Sequence, residues 1–377
     1  MSEYKKHIPA LDGVRGLAAA TVFIYHYAGG GQSPHAAIRF IAEMLHFGWA
    51  GVSLFFVLSG FLISGILWDG FEKDHWWNTF YWRRMLRIFP LYYLALALAI
   101  LAAILVGGAT LSVFNIWPHI LYLQNVPLLF GVTARFPAVL RLGHFWSLAV
   151  EEQFYLIWPF ILFALPRNVV PARRVCLLVW GLSLAFRLYV YGAGLQDEWA
   201  TQFLAGRMGE LAIGAWLALA MRDAGLKEVI LRNAQWVFAA SFVAIVSIMF
   251  WARDTESRPM PMATFGIAVN GILFASLIAL CLRPGMTASL FSMGWLRWLG
   301  KVSYGVYVYH LLFRSQYEWL SYKILPRASS NLHFVALACV ATVGTLALAS
   351  LSFYGFESRF LRLKDRAVPK PMAALAK

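Results

Sequence analysis

Two residues in the first apolar stretch do not suit a lipid-facing helix. In "LDGVRGLAAATVFIYHY", residues 11–27, Arg15 and His26 lie 11 positions apart. At about 100° per residue, that spacing returns to within about 20° of one helix face, about 16 Å further along. Asp12 falls close to the same stripe, and Ala19 and Val22 between them are small enough to leave room beside the helix. Ionisable groups inside a bilayer are costly unless they face a bundle interior or a wet cavity. The stripe is therefore expected to line an internal passage, with Arg15 toward one mouth and His26 toward the other. The plainer alternative is an interfacial anchor and a satisfied core histidine.

A second constellation is Glu151–Glu152 within "GHFWSLAVEEQFYLIWP", Gly143 to Pro159. Neighbouring helical positions point about 100° apart, so one carboxylate is expected to address the passage and the other a structural partner. Ser147 and Tyr155 share the Glu151 face at four-residue intervals, which selects Glu151 for the passage. Depth along the two helices lets His26 and Glu151 meet, and an imidazole held by a carboxylate has the make-up of a general base.

These groups need long apolar helices to position them. The chain has 377 residues, of which 60% are hydrophobic, 16% aromatic and only 13% charged, with a mean hydropathy of +0.65. That balance belongs to an integral membrane protein and not to a soluble domain. The formal charge of +14 is what loop Lys and Arg produce in a membrane chain, and nucleic-acid binding is set aside. Cys176, Cys281 and Cys339 sit in apolar runs at no paired or metal-ligand spacing, so they read as small buried hydrophobes. Asp12 and Arg15 interrupt the run that a signal peptide would require, making the first segment a permanent helix.

Bilayer-length apolar segments, each needing about 20 residues, fall at roughly 10–28, 47–68, 88–107, 145–165, 175–191, 204–221, 234–251, 262–282, 302–321 and 334–356. The expected fold is all-α and polytopic, with about ten spans in a single membrane domain over residues 1–377. Its helical core covers about 10–356, and a basic tail covers 357–377. Residues 111–130 are apolar but broken by Pro118 and Pro127, and read either as a full span or as a re-entrant or interfacial segment.

Orientation follows from alternate connections. With the N-terminus inside, the inner segments hold Lys5, Lys6, Lys73, Arg83, Arg84, Arg87, Arg167, Arg173, Arg174, Arg222, Lys227, Arg232, Arg283, Arg297, Lys301, Arg359, Arg362, Lys364, Arg366, Lys370 and Lys377. The outer ones hold Arg39, Arg135, Arg141, Arg253, Arg258, Lys323 and Arg327, so 21 stand against 7. Both termini are expected to be cytoplasmic.

Further polar residues admit two readings each. Arg84 and Arg87, three apart beside Arg83, offer bidentate donors for phosphate or plain positive-inside anchoring. Arg207 and Glu210 can neutralise each other on one face or bind an acceptor. Tyr304, Tyr307 and His310 line a passage or make structural hydrogen bonds. Arg187 and Arg314 snorkel from helix ends, and Trp76, Trp77, Trp82, Trp295 and Trp298 form an interfacial belt.

Arg15 with His26, "GVSLFFVLSGFLIS" (Gly51–Ser64), "YWRRMLRIFPLYY" (Tyr81–Tyr93), "FWSLAVEEQFYLIWP" (Phe145–Pro159) and "SYGVYVYH" (Ser303–His310) appear in this order. Together they resemble the acyltransferase-3 family of membrane O-acyltransferases, from Leu11 to about Leu363. The resemblance implies transfer of an acyl group, commonly acetyl, from cytoplasmic acyl-CoA to a carbohydrate or glycolipid hydroxyl at the outer face of a bacterial inner membrane, with no metal. It implies His26 as the essential histidine and Arg15 as its partner. Catalysis is then expected from His26, Glu151 and Arg15, and CoA binding from Arg15, Arg83, Arg84 and Arg87. Ser147, Glu152, Tyr155, Arg207, Glu210 and His310 are expected on the acceptor side.

An imidazole with unperturbed pKa of about 6.5 suits deprotonation of a sugar hydroxyl, while acyl-histidine or acyl-Ser147 intermediates stay open. Ser53 stands where Asp is more usual in "GVDLFFVLSGF", which weakens any role for that position, and "FESRF" at 356–360 differs from the commoner Glu-Lys-Pro-Phe ending, so no claim is made for Glu357. Many relatives carry a hydrolase-like second domain, and this chain is expected to complete transfer alone or with a separate partner. The rival function is a transporter or flippase using the same buried charges without chemistry. The acceptor's identity and the oligomeric state are not legible at this level.

Overall fold

A computed structural model describes residues 7–28, 44–72, 75–106, 113–131, 133, 136, 140–326 and 329–363. Lys5, Lys6, Arg39, Lys73, Arg135, Arg327 and the tail from Lys364 onward, all part of the charge reading, lie outside them. The described chain is all-α, with no strand.

The helices used below are α1 (Pro9–Ala28), α2 (Ala50–Gly70), α3 (Trp76–Val106), α4 (Val113–Ile120), α5 (Trp146–Phe163), α6 (Val169–Gly192), α7 (Leu204–Ala220), α8 (Ala224–Ala252), α9 (Ile267–Leu282), α10 (Gly294–Leu312), α11 (Arg314–Ile324) and α12 (Ser330–Ser352). Seven helices of the described chain are long and apolar enough to cross a membrane. Three more, α1, α5 and α10, have 20, 18 and 19 residues but are not among those seven. These three carry Arg15 and His26, Ser147 and Glu151, and Tyr307 and His310. The ten-span expectation requires all of them, and their polar side chains have a bundle interior to face.

Most of α2, α7 and α9 is buried within the bundle, whereas α8 and α12 expose most of their length. The exposed positions on these outer helices include Trp236, Phe242, Phe250, Val343 and Leu351, which suits contact with lipid. Cys339 lies on this exposed surface, contrary to the expectation of burial, while Cys176 and Cys281 are buried thiols.

Close approach of α1 to α10 is what builds the site. These two helices share the largest contact in the fold. A Cβ on Gly16 would collide with the Leu296 carbonyl, and one on Gly300 with the Asp12 carbonyl, so glycine at both positions lets the two backbones touch.

Between full span and re-entrant segment, the described part of residues 111–130 forms no span: it is the short α4 followed by turns through Leu129. Its irregular backbone is satisfied from neighbouring helices. Tyr92 and Tyr93 donate to the carbonyls of His119 and Ile120 at 2.6 and 2.9 Å, and Gln153 donates to that of Tyr122 at 2.7 Å. Backbone at membrane depth requires such partners.

Candidate active site

The beginning of α1 and the segment after α12 line one cavity of about 950 Å³ at the face of the bundle where α1 starts, here called the near face. Its charged walls come from Asp12 and Arg15 of α1, Asp69 of α2, Arg87 of α3, Arg222 just after α7, Arg297 and Lys301 of α10, and Glu357. Asp12 accepts from His7 at 2.6 Å and lies 3.7 Å from Arg15. Arg222 holds Asp69 at 2.6 Å, and Glu357 accepts from Ser352 at 2.9 Å.

Deeper in, a cavity of about 80 Å³ shares Arg15, Arg87 and Tyr304 with the first. Arg15 and the pair Arg84 and Arg87 meet Glu151, Glu152 and Tyr155 there, together with Ser59, Ser147 and Tyr307. Arg84 stacks over the Tyr155 ring with its Cζ 3.8 Å from the centroid. Ser59 donates to Glu151 at 2.5 Å. One Glu152 oxygen and the Tyr155 hydroxyl are buried without a partner. The expected division between the two carboxylates fails, since both line this cavity. The hollow wraps round α5 widely enough to receive side chains about 100° apart. Arg83 lies on the exposed side of α3.

The inner cavity ends at a hydroxyl pair. Ser147 and Tyr307 bond each other, and Tyr307 donates to the His144 carbonyl at 2.8 Å. Beyond them lie three imidazoles. The ring of His26 is 4.9 Å from that of His310, which is 5.0 Å from that of His144. Each ring has one nitrogen on a backbone carbonyl. Nδ1 of His26 meets Val22 at 2.8 Å, Nδ1 of His310 meets Tyr307 at 2.6 Å, and Nε2 of His144 meets Val308 at 3.3 Å. A carbonyl only accepts, so those nitrogens carry the protons and the opposite ones carry lone pairs. On His310 and His144 the lone-pair nitrogen has no partner.

Two expectations about His26 therefore change. Its ring lies against His310, while Glu151 is bonded to Ser59 on the other side of the hydroxyl pair. The room expected beside Ala19 and Val22 is filled, because both are buried in one cluster with Val302, Val306 and Tyr307. Small side chains on α1 drew α10 inward and closed the gap.

The end of α1 is pinned on the far side. Arg314 donates to the His26 carbonyl at 3.0 Å and pairs with Glu318 at 2.9 Å, so it caps α1 and does not snorkel. Tyr25 donates to Glu256 at 3.0 Å. Arg187 is also no snorkelling side chain. It is 1% exposed and donates to Ser183, Gly206 and Thr264. Arg207 and Glu210 pair at 3.0 Å, both buried, with Ser53 bonded to Arg207. Ser53, at the position where the usual Asp is replaced, thus sits inside this polar cluster. Tyr304, Tyr307 and His310 make structural hydrogen bonds, and Tyr304 and Tyr307 also line the hollow, whereas His310 is not part of its lining.

His144 and Ser59 were not singled out from the sequence. His144 stands three residues before Ser147 in the motif that contains Glu151, which was the available signal. Among the described residues, no group of three His, Cys, Asp or Glu side chains is arranged to hold a metal ion.

Residues 8–352 match the acyltransferase-3 family model, described as an acyltransferase domain. The chain is 29% identical to a peptidoglycan O-acetyltransferase of Listeria monocytogenes, over 96% of this chain and 58% of that protein. It is 28% identical to a putative peptidoglycan O-acetyltransferase of Bacillus subtilis, over 82% and 49%. It is 26% identical to a putative O-acetyltransferase of Staphylococcus aureus, over 95% and 58%. The chain thus spans about half the length of these relatives. No solved structure matches it.

Proposed function

The chain belongs to the acyltransferase-3 family, and on that premise we propose that it is a multi-pass membrane O-acyltransferase of a bacterial inner membrane. An acyl group, acetyl by default, passes from acyl-CoA entering at the near face to a carbohydrate or glycolipid hydroxyl arriving from the far face. The excess of Lys and Arg assigns the near face to the cytoplasm. The names of the relatives point to a carbohydrate acceptor such as peptidoglycan.

The observation that carries this reading is the succession of compartments, each adjoining the next. A ligand-sized cavity narrows to a hollow of about 80 Å³ bearing three arginines and two glutamates, and beyond it stand three imidazoles with basic nitrogens. A volume near 950 Å³ falls within the range that small-molecule sites occupy, about 300–1,000 Å³. The inner hollow suits only the acyl-thioester end. Swinging aside the Ser147–Tyr307 pair brings that end within reach of the far-face histidines. The acceptor oxygen attacks the thioester carbon, its proton goes to Nε2 of His26, and the carbon–sulfur bond breaks. The thiolate leaves beside Arg15 and Arg84 and is protonated from solvent, while His26 gives the proton it took back to solvent and is basic again. Arg84 and Glu151 position the thioester.

Purified protein in lipid nanodiscs, supplied with acetyl-CoA and a glycan acceptor, is expected to release free CoA thiol. His26→Ala should lower that rate by about a hundred- to ten-thousand-fold, the usual worth of a positioned base, with thermal unfolding unchanged. Movement of substrate across the bilayer without thiol release would instead establish the transporter reading.

A further inference from the structure

The nucleotide end of the donor needs a site of its own, because the inner hollow is too small to hold it. We infer that Arg297 and Lys301 form an anion subsite that binds the ribose 3′-phosphate of CoA, so that the enzyme distinguishes CoA from its 3′-dephospho form. This rests on the acyl-CoA reading above and names residues to which no role has been given.

Arg297 and Lys301 are four apart, so they share a face of α10, and both line the cavity at the near face. The same stripe continues through Tyr304 to Tyr307, which line the inner hollow. One helix thus runs from the mouth to the Ser147–Tyr307 pair. At 1.5 Å per residue the ten positions from Arg297 to Tyr307 span about 15 Å, a length that an extended pantetheine arm covers.

Charge accounting in the cavity points to the same place. Asp12 is held by His7 and Arg15 and Asp69 by Arg222, while Glu357 accepts from the neutral Ser352 and has the Arg87 guanidinium as its electrostatic partner. Arg297 and Lys301 have no carboxylate within ion-pair distance among the described residues, so this end of the cavity carries uncompensated positive charge. Lys301 Nζ lies 5.2 Å from the ring centres of both Phe353 and Tyr354, which holds the ammonium at the wall. Trp298 and Tyr354 add aromatic faces to the same cavity, where a purine can stack while guanidinium and ammonium take the phosphate.

The test compares acetyl-CoA with acetyl-3′-dephospho-CoA on the full chain in nanodiscs, reading KM and kcat from thiol release. The wild type should favour acetyl-CoA in KM by about tenfold or more, the worth of one charged hydrogen bond. In the double variant Arg297→Gln, Lys301→Gln that gap should shrink to about twofold, with kcat and the dephospho-donor KM unchanged, which also reports a folded enzyme. Arg174→Gln, an exposed charge on α6, should leave the gap intact. If the double variant turns over neither donor, the two single variants are compared, and each should close part of the gap. A wild type indifferent to the 3′-phosphate, or variants that keep the full gap, would overturn the subsite. Turnover of neither donor by the wild type would sink the acyl-CoA reading itself, which is a different result.

Discussion

A backbone carbonyl accepts a hydrogen bond but not a proton, and that asymmetry decides what His26, His144 and His310 can do. With one N–H of each held on a carbonyl, the opposite nitrogen is the basic one, and no carboxylate is required to set the tautomer. The Arg207–Glu210 pair follows related logic. Both side chains are almost fully buried, at 2% and 1% exposure. A carboxylate left alone can take up a proton, whereas a guanidinium cannot lose one. Glu210→Ala is therefore expected to destabilise by about 3–5 kcal/mol. Arg207→Met should cost less, and the double change Arg207→Met, Glu210→Met less than Glu210→Ala alone. Thermal unfolding in detergent ranks the three, and equal costs for the two single variants would remove this account of the pair.

The α1–α10 contact and the start of α8 each hinge on a small structural requirement. Gly300 faces the Asp12 carbonyl with no room for a methyl group, so Gly300→Ala should push α1 away from α10. Overpacking of this kind costs about 1–3 kcal/mol. Because Arg15 and His26 both ride on α1, thiol release should fall along with stability, with the control Gly355→Ala, where space is open, showing neither effect. At the start of α8, Asp223 caps the helix through Leu226 and pairs with Arg173 at 2.8 Å. The bond from the Arg173 guanidinium holds its carboxyl below the usual carboxylate range. A lowered folded pKa means the stabilisation is present above the unfolded value, about 3.9, and is lost as pH falls through the folded one. The unfolding temperature of the wild type should drop more than that of Asp223→Asn as pH is lowered from about 6 to about 3, since the amide keeps the cap and does not titrate.

At the scale of the whole molecule, the orientation is testable from the two faces. In a cysteine-free background, Arg297→Cys should react with a membrane-impermeant maleimide only from the cytoplasmic side, and Arg258→Cys only from the opposite side. Reversed labelling would invert the assignment of donor and acceptor faces. Much of this architecture is legible in the sequence. Apolar runs of bilayer length, Pro118 and Pro127, and the spacing of Arg84 with Arg87 are local signals, and helical periodicity is enough to place Arg15 and Glu151 on inward faces. The partners of those faces are another matter. His26, His144 and His310 lie on three separate stretches of chain, and no period of 3.6 residues relates them. Their meeting depends on how closely α1 and α10 approach, which Gly16 and Gly300 permit only in the assembled bundle. The same packing filled the space beside Ala19 and Val22, put Glu151 on Ser59 in place of His26, and buried Arg187. Sequence alone determined a helical membrane protein with inward-facing charge, because hydropathy and periodicity act over a few turns. Which charges face one another was decided only by the tertiary structure, because that depends on distances between helices.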